Sequence, residues 1–507
     1  MRNRFQTLHA VLHVLGSLLM VLGGILLSPL AVVFLYGEID VSCRALLAFL
    51  VPALLALGAG AACKKAFKGQ PPTNLQALLI CSLGWTAFSA FGALPFVIGV
   101  NASYLDGFFE TMSGFTTTGI TMFTGLDQMP KSILFWRSLT QWVGGLGILT
   151  FFLAITYQGG GAHRLFGAES HKIEARRPVP GMANTIKVLW LIYAGMTAAI
   201  ISALISAGMS PFDSVCHTFT ALSTGGFSPH DASIEYYRLA GYSHYVLIEY
   251  ILIIGMVLGG TNFLIHYRVI KGNWRAVADN TEMKYWWSLI GVFTAVIFLE
   301  RAWRAGLFAG VAGEGPDAFL RFEENFRAVL FQVVSILTTT GFATRDIASP
   351  FFGQATCVLF LAMMVIGGCV GSTGGGIKVL RVAILSKLIR REIYRLRTPL
   401  RSVSAIVVDG KQVGSDEISR IAGLFFTWIF LLVIGGSITA LLSDLDGLSA
   451  SSGMFSALGN IGPCYIPVKT MGQLNPLIKL MYIFGMLAGR LEILPVLLLF
   501  SPRAWKS

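Results

Sequence analysis

Charge is what this 507-residue chain has least of: only 13% of its residues are charged, against roughly 25% in an ordinary soluble domain. Apolar residues make up 54% of the chain, and its mean hydropathy is +0.69. A soluble globule of this length needs a charged surface, and the chain has too little charge to make one. The composition therefore excludes an ordinary soluble protein and indicates that lipid is the main solvent.

Cysteine and the residue clusters of catalytic sites are also scarce. The seven cysteines are scattered and form no CxxC pair, which favours small buried side chains over a disulfide framework or a zinc site. His9 and His13 have the spacing of metal ligands on a helix, but no third ligand follows nearby, so an ordinary helix face is favoured. The apolar segments contain no HExxH, no GxSxG and no paired aspartates. We therefore predict that the chain is not an enzyme.

Ten apolar runs approach or exceed the roughly 20 residues that a helix needs to cross a bilayer. They are residues 8–36, 45–63, 75–100, 133–157, 184–208, 244–266, 285–308, 353–384, 418–442 and 475–500. Four shorter stretches rich in Phe, Thr and Ser lie between them, at 103–115, 211–222, 324–337 and 448–458. A helix of about a dozen residues reaches only halfway across a membrane. The sequence predicts an all-α polytopic membrane protein with ten transmembrane helices plus four re-entrant pore helices.

The charges of the loops give the direction of insertion. Basic residues fall on one side of the predicted spans, most densely between Lys378 and Arg420, and by the positive-inside rule that side is cytoplasmic, with both termini. Acidic residues such as Asp106 and Asp213 stand near the re-entrant stretches on the other side, where they would concentrate cations. The net charge of +12 thus reflects membrane orientation better than nucleic-acid binding.

A fourfold internal repeat is visible in the glycines. Each re-entrant stretch ends in a polar tetrapeptide with a final glycine: TTTG at 116–119, STGG at 223–226, TTTG at 338–341 and GNIG at 459–462. The span after each one carries further glycines, at 144–145, 259–260, 367–368 and 489. We predict an N-terminal two-helix segment (1–70) and four pore repeats (71–180, 181–284, 285–410 and 411–507) around a pseudo-fourfold, potassium-channel-like pore.

A ring of four such segments suits a monovalent cation. Irregular backbone at membrane depth is tolerated only where protein covers it or where it lines a water-filled space. Carbonyl oxygens that point inward from such a ring can replace the hydration shell of the ion. Glycine permits the positive φ angles that a tightly turned backbone requires. One such motif alone would indicate a simple loop cap, but four in register favour a selectivity filter.

These motifs, with GGCVGSTGGGIK (367–378) and LAGRLEILPVLLLF (487–500), resemble the Trk/Ktr/HKT superfamily of cation transporters over nearly the whole chain, and most closely its bacterial TrkH/TrkG branch. The resemblance implies a homodimer and a filter that binds K⁺. By the same resemblance, glycine at all four last positions favours potassium over sodium. The filter residues that the resemblance implies are Thr117, Thr118, Gly119, Thr224, Gly225, Gly226, Thr339, Thr340, Gly341, Asn460, Ile461 and Gly462.

The run 353–384 cannot be one straight helix. Six glycines within ten residues each cost a helix about 1 kcal/mol relative to alanine. A phosphate-binding P-loop is the alternative, but Ile377 separates the last glycine from Lys378 and no GK[ST] follows. We predict a loop in mid-membrane, which the resemblance identifies as the gate. Its residues are Gly367, Gly368, Gly371, Ser372, Thr373, Gly374, Gly375, Gly376 and Lys378.

Arg490 stands inside the last apolar run, where an ionisable residue marks either an ion pathway or a buried pair. An ion pair with Glu492 or with another helix is one interpretation. The resemblance implies the other, a positive barrier in the cavity beneath the filter. The basic segment 387–401 either orients the chain and contacts anionic lipid, or docks a TrkA-type cytosolic subunit that binds NAD or ATP. No nucleotide site is visible in this chain.

The resemblance and the motifs together predict potassium uptake across the bacterial inner membrane. The alternative is a symporter that couples potassium to protons or sodium, which requires a second ion site. Acidic residues are rare within the predicted spans, and Glu492 is the main candidate for such a site.

Overall fold

The computed structural model describes residues 2–39, 43–67, 72–157, 182–306, 316–399 and 404–505, and most of them are helical. In chain order the helices are α1 (Arg2–Leu26), α2 (Pro29–Leu35), α3 (Arg44–Ala66), α4 (Asn74–Gly92), α5 (Leu94–Val100), α6 (Tyr104–Phe115), α7 (Lys131–Tyr157), α8 (Met182–Ser206), α9 (Pro211–Leu222), α10 (Glu235–Leu239), α11 (Tyr245–Gly260), α12 (Phe263–Ile270), α13 (Thr281–Arg304), α14 (Pro316–Leu337), α15 (Gln354–Val365), α16 (Val379–Arg395), α17 (Ser415–Leu441), α18 (Gly447–Gly459), α19 (Val468–Gln473), α20 (Pro476–Arg490) and α21 (Leu494–Leu498).

Short elements complete the description. Single 3₁₀ turns lie at Leu126–Gln128 and Trp274–Val277. The antiparallel strands β1 (Val407–Val408) and β2 (Lys411–Gln412) form a hairpin on the side predicted to be cytoplasmic.

Six helices or continuous helix pairs in the described parts of the chain are long and apolar enough to cross a membrane: 7–35, 44–66, 75–100, 184–206, 281–304 and 415–441. A seventh candidate is the pair α11 and α12, which is bent by 105°. The predicted span 244–266 therefore turns sharply after Gly260, where residues 261 and 262 leave the helix. These observations confirm a largely helical membrane-type protein, whereas the count of ten spans remains a prediction.

The four re-entrant stretches form helices α6, α9, α14 and α18, called pore helices 1 to 4 below. Three of them match the predicted bounds within about a residue. Pore helix 3 is longer, because it begins at Pro316 rather than near residue 324. Proline is favoured in the first helical turn, where its missing N–H leaves no unmade hydrogen bond. The exposed Phe319 and Leu320 give its first half an apolar surface.

Two further predicted spans are interrupted. The run 353–384 divides into α15 and α16 around an irregular segment at 366–378, which confirms the break predicted from its glycines. The run 475–500 was expected to be continuous, but α20 ends at Arg490 and α21 begins only at Leu494. Glu492 and Ile493 there have φ angles of 60° and 65°. Positive φ angles at two consecutive side-chain-bearing residues are incompatible with a right-handed helix, so the helix ends there.

The N-terminal helices α1 and α3 pack on each other through glycines. A Cβ added to Gly16 would lie 2.8 Å from the carbonyl oxygen of Gly60, and one added to Gly60 would lie 2.6 Å from that of Gly16. Small residues allow such close backbone approach between helices in lipid. One apolar cluster joins these helices to repeats 1 and 4, and a second lies mainly within repeats 2 and 3. Pore helices 1 and 4 contribute side chains to the first cluster, and pore helices 2 and 3 contribute side chains to the second.

Candidate ion-conduction site

The final glycines of the four tetrapeptides share one backbone conformation. Their φ angles are +85° at Gly119, +76° at Gly226, +85° at Gly341 and +105° at Gly462. Side chains are disfavoured in this region, so glycine is required at each position. The expected use of glycine for positive φ is therefore found in all four repeats.

The four tetrapeptides meet in a closed circle. Each final glycine lies against a main-chain carbonyl oxygen of the next repeat. That oxygen belongs to the residue just before the final glycine of that repeat. A Cβ added to the first glycine would approach the oxygen too closely. The neighbouring pairs are Gly119 and Gly225, Gly226 and Thr340, Gly341 and Ile461, and Gly462 and Thr118. The order of the segments around the circle is thus their order in the chain, and the last repeat closes on the first.

Each pore helix ends in the same turn. In repeat 1 the N–H of Thr118 donates to the carbonyl oxygen of Ser113 (2.8 Å), and that of Thr117 donates to Gly114 (2.9 Å). This is a Schellman motif, and it recurs in the other three repeats. The residue in the left-handed conformation is not glycine in any of them, but Thr117, Thr224, Thr339 and Asn460. Sequence reasoning missed this feature, which costs of order 1 kcal/mol or more per residue.

Buried side chains fix the filter segments from behind. The hydroxyls of Thr116 and Thr118 form a hydrogen bond of 2.8 Å, and those of Thr338 and Thr340 form another of 2.8 Å. In repeat 4 the side-chain amide of Asn460 donates to Thr118 Oγ1 at 2.9 Å. Because these groups are buried, each lost hydrogen bond would leave a polar atom without water.

The second set of glycines explains how the spans approach the filter. A Cβ on Gly144 would collide with the carbonyl oxygen of Phe115, at the end of pore helix 1. Two other glycines lie equally close to their pore helices. A Cβ on Gly259 would collide with the carbonyl oxygen of Leu222, and one on Gly489 would collide with that of Leu458. Repeat 3 departs from the pattern, since Gly367 packs against Gly375 of its own irregular segment. In repeat 3, the irregular segment therefore takes the place of the close helix contact that the other three repeats make.

A cavity of about 400 Å³ opens on the side of the ring nearest the outer loops. All four final glycines line it, together with outer-loop groups that include His230, Asp231 and Asp346. The cavity therefore connects these loop groups to the ring of final glycines.

An ion pair is buried beside this cavity. Arg137 of α7 donates from Nε to Glu110 of pore helix 1 at 2.8 Å, and both side chains are nearly inaccessible to solvent. Glu110 also accepts from the N–H of Met122 (2.9 Å), just beyond the filter glycine of repeat 1. Arg137 donates to the carbonyl oxygen of Ser228 in repeat 2 (2.9 Å). The sequence analysis missed Arg137, although an arginine inside the apolar run 133–157 was a visible signal.

The irregular segment 366–378, called the intramembrane loop below, lies against the ring on the side opposite the cavity. Thr373 donates to the carbonyl oxygens of Leu222 and Gly259, at 2.9 Å each. The N–H of Gly375 donates to Thr339 Oγ1 (2.8 Å), and Gly375 also packs against Asn460. The loop thus contacts the filter segments of repeats 2, 3 and 4. Lys378 donates back to the carbonyl oxygen of Gly374.

Comparison with known proteins agrees with this architecture. The family model described as "TrkH: Cation transport protein" matches residues 49–507. This chain belongs to the TrkH family of cation transport proteins. Membership in a family of transport proteins confirms the prediction that the chain is not an enzyme.

Relatives of the TrkH family match the chain over nearly its full length. It is 34% identical to the Trk system potassium uptake protein TrkH of Vibrio parahaemolyticus, over 98% of this chain and 99% of that protein. It is 30% identical to TrkG of Escherichia coli, over 98% of each. The crystal structure of the potassium transporter TrkH from Vibrio parahaemolyticus aligns with a TM-score of 0.84 and 31% identity, covering 98% of this chain and 99% of that one.

Arg490 of this TrkH-family chain is bonded to both the intramembrane loop and repeat 1. Its guanidinium donates to the carbonyl oxygen of Thr373, and to those of Gly144 (3.0 Å) and Gly145 (3.1 Å). Glu492, which the sequence offered as its partner, forms an ion pair with Arg381. The positive charge of Arg490 therefore lies beneath the ring and bridges the first and third repeats.

The intramembrane loop is also connected to the side predicted to be cytoplasmic. The N–H of Val370 donates to Glu282 at the start of α13 (2.7 Å). The preceding residue, Thr281, donates from its N–H to Asp409 in the hairpin turn (2.8 Å). Val370 also shares a small apolar cluster with Ile406 and Val408 of the hairpin. A movement of the hairpin would thus act on the loop through two sets of contacts.

Proposed function

We propose that this chain takes up potassium ions across the bacterial inner membrane through the ring of four filter segments. The observation that carries the proposal is the closed circle of final glycines, each facing a main-chain carbonyl oxygen of the next repeat. Such oxygens can replace the water around a monovalent cation. The cavity supports an entry path, because it reaches all four glycines from the outer side.

The topology that we propose has ten transmembrane helices and four pore helices, with both termini in the cytoplasm. It divides the chain into the N-terminal segment 1–70 and the repeats 71–180, 181–284, 285–410 and 411–507. The basic residues of α16 support the orientation, because they follow the intramembrane loop on the side away from the cavity. The boundaries at residues 70–71 and 180–181 lie outside the described residues.

Potassium is the ion we propose, with the twelve residues of the predicted filter as its binding site. Glycine at all four final positions supports this choice, and the relatives in Vibrio parahaemolyticus and Escherichia coli are named potassium uptake proteins. No other cofactor is proposed for this chain, and no nucleotide.

The intramembrane loop is proposed as the gate, with Arg490 as a positive barrier beneath the filter. Contacts of the loop with three filter segments support this role, because a loop in that position closes the path of the ion. We further propose that a TrkA-type cytosolic subunit that binds NAD or ATP controls the loop, and that the chain forms a homodimer. The hairpin contacts give such a subunit a mechanical connection to the gate.

Coupled symport is less well supported than passive flow. Glu492, the predicted candidate for a second ion site, is engaged by Arg381. A carboxylate already paired with an arginine is a poor additional cation ligand. The membrane potential alone supplies about 2.3 kcal/mol per elementary charge for each 100 mV.

Purified protein in liposomes tests the proposal. Flux would be measured separately with potassium and with sodium, at a fixed membrane potential and with a protonophore that removes any pH gradient. We expect potassium flux that persists without the pH gradient and exceeds sodium flux. Equal fluxes of the two ions would contradict the proposed filter. Potassium flux that requires a pH gradient or sodium would instead support the symporter.

A further inference from the structure

Repeat 2 lacks a side chain where the other three filters have one. Gly225 occupies the position held by Thr118, Thr340 and Ile461 in repeats 1, 3 and 4. In repeats 1 and 3 the threonine hydroxyl bonds to the hydroxyl two residues earlier. Gly225 does not have a positive φ angle, so the backbone itself does not require glycine there. Some other feature of the structure must account for the missing side chain.

Gln141 of α7, in repeat 1, fills that space. A Cβ added to Gly225 would collide with the side-chain amide of Gln141. Gln141 Nε2 donates to the carbonyl oxygen of Gly225 (2.7 Å), and its Oε1 accepts from the N–H of Phe227 (3.0 Å). The side chain is fully buried. Since one end must donate and the other accept, only one orientation of the amide satisfies both hydrogen bonds.

We propose that Gln141 is a positioning residue that determines ion specificity. Its side chain comes from repeat 1 and takes the place, in repeat 2, of the side chain that Gly225 lacks. Its two hydrogen bonds bracket Gly226, the final glycine of the second filter segment. The inference rests on the proposed function, because it assigns Gln141 a part in ion selection by the ring.

The position of the Gly225 carbonyl makes this contact relevant to the ion. That oxygen is the one that lies against Gly119 in the circle of filter segments. A hydrogen bond from Gln141 both fixes the oxygen in place and withdraws part of its electron density. Without the bond, the oxygen would move more freely and present a stronger field, and both changes favour the smaller sodium ion.

A second side chain of α7 supports the same interpretation. Arg137 lies one helical turn before Gln141 and donates to the carbonyl oxygen of Ser228. Three main-chain polar groups of segment 225–228 are therefore bonded by side chains from repeat 1. The second filter segment is positioned by its neighbour as well as by its own pore helix.

The experiment compares Gln141→Met and Gln141→Glu with the unmodified chain in potassium and sodium flux assays on liposomes. Methionine fills a similar volume without either hydrogen bond, whereas glutamate in its ionised form keeps an acceptor for Phe227 but lacks the donor to Gly225. We expect Gln141→Met to lower the potassium-to-sodium flux ratio by at least about threefold, the effect of a fraction of one hydrogen bond's free energy. Gln141→Glu is expected to lower it as well.

Gln76→Met is the matched control. Gln76 is also a buried glutamine with one donated and one accepted hydrogen bond, but these go to Thr7 and Thr73 near the start of α4. We expect Gln76→Met to lower the melting temperature and to leave the flux ratio unchanged. If Gln141 had only a structural role, Gln141→Met would likewise lower the melting temperature and leave the flux ratio unchanged.

A paired substitution tests the exchange of side chains directly. Gly225→Thr alone should abolish selective flux, because its Cβ would collide with Gln141. Gln141→Ala combined with Gly225→Thr should restore the flux ratio, since the introduced hydroxyl could bond to Ser223 as Thr118 does to Thr116. Failure of this rescue in a folded double variant would overturn the inference.

The assay separates the two levels of the proposal. Absence of selective potassium flux in the unmodified chain would refute the proposed function. Selective flux in that chain together with an unchanged ratio in folded Gln141→Met would refute only the assignment of Gln141.

Discussion

The guanidinium of Arg490 donates a hydrogen bond to the main-chain carbonyl oxygen of Thr373, in the intramembrane loop. Thr373 in turn donates to the carbonyl oxygens of Leu222 and Gly259 in repeat 2. A single chain of hydrogen bonds thus runs from α20 through the intramembrane loop to the ends of pore helix 2 and α11. In the proposed mechanism, the charge that opposes a passing cation therefore also holds the intramembrane loop in place.

Removing that charge should raise ion flux. In Arg490→Gln the positive barrier beneath the ring disappears, and the loop loses a charge-assisted hydrogen bond that typically contributes about 1.5–3 kcal/mol. We expect potassium flux in liposomes to increase several-fold. Arg301→Gln is the control, because Arg301 is a partly buried arginine whose contacts, with Asn325 and Phe351, lie away from the loop. Unchanged flux in a folded Arg490→Gln variant would contradict the barrier.

Serine at the first final glycine should weaken the preference for potassium. In Gly119→Ser the new side chain would adopt a strained φ of +85° and collide with the carbonyl oxygen of Gly225. Displacement of this ring oxygen should reduce the free-energy difference between potassium and sodium. A reduction of about 1.4 kcal/mol lowers the selectivity ratio tenfold. Gly125→Ser controls for strain, since Gly125 also has a positive φ but open space around it. The proposed ring would be wrong if both variants kept the original flux ratio.

The close approach of α11 to pore helix 2 should be sensitive to a single methyl group. A Cβ in Gly259→Ala would lie 2.6 Å from the carbonyl oxygen of Leu222, and overpacking of this kind costs about 1–3 kcal/mol. Gly255→Ala, one turn earlier, would make only ordinary contact with Ala221 at 3.6 Å. We expect a lower melting temperature for Gly259→Ala alone. Equal melting temperatures would show that the helix can move away without cost.

The imidazole of His230 should make stability depend on pH. Burial opposes its charged form, but hydrogen bonds and charges from Asp213 and Asp127 outweigh this, so the pKa of His230 is raised. Its Nδ1 lies 2.5 Å from Asp127, its Nε2 lies 3.5 Å from Asp213, and its ring stacks on Tyr236. The other ring groups nearby are His217 and Tyr237.

A raised pKa means that the folded state binds the proton more tightly than the unfolded state. The stabilisation is therefore complete below about pH 6.5, the ordinary value for histidine, and is lost as the pH rises through the raised pKa. We expect His230→Gln to be less stable than the unmodified chain by roughly 1 kcal/mol at low pH, with the difference vanishing at high pH. Melting temperatures in detergent across this range measure it. The control variant is His244→Gln, which makes the same substitution at an exposed position of the same outer segment.

Much of the fold could be predicted because its signals are local. Apolar run length and the recurrence of a final glycine identified the four pore helices, and the six glycines of 353–384 identified the broken span. Other features left no local signal. The interruption at Glu492 and Ile493 lies within a leucine-rich run, and the sharp bend after Gly260 lies within a run that reads as one span. The early start of pore helix 3 at Pro316 falls in a stretch that is not especially apolar.

The filter motifs could also be found in the sequence, whereas the contacts that shape them could not. Gln141 and Gly225 are far apart in the chain and belong to different repeats, so no spacing rule connects them. Thr117 adopts a left-handed conformation that threonine disfavours, and only the buried turn at the end of pore helix 1 explains it. Local composition thus locates the ring, and interactions between repeats determine its geometry.

The junction between Gly462 and Thr118 joins the two filter segments that are farthest apart in the chain. During synthesis the filter segment of repeat 4 is the last of the four to be made, so this side of the circle can close only after the other three segments exist. A chain that ends before the fourth segment therefore lacks the closed circle of carbonyl oxygens that the proposed filter requires.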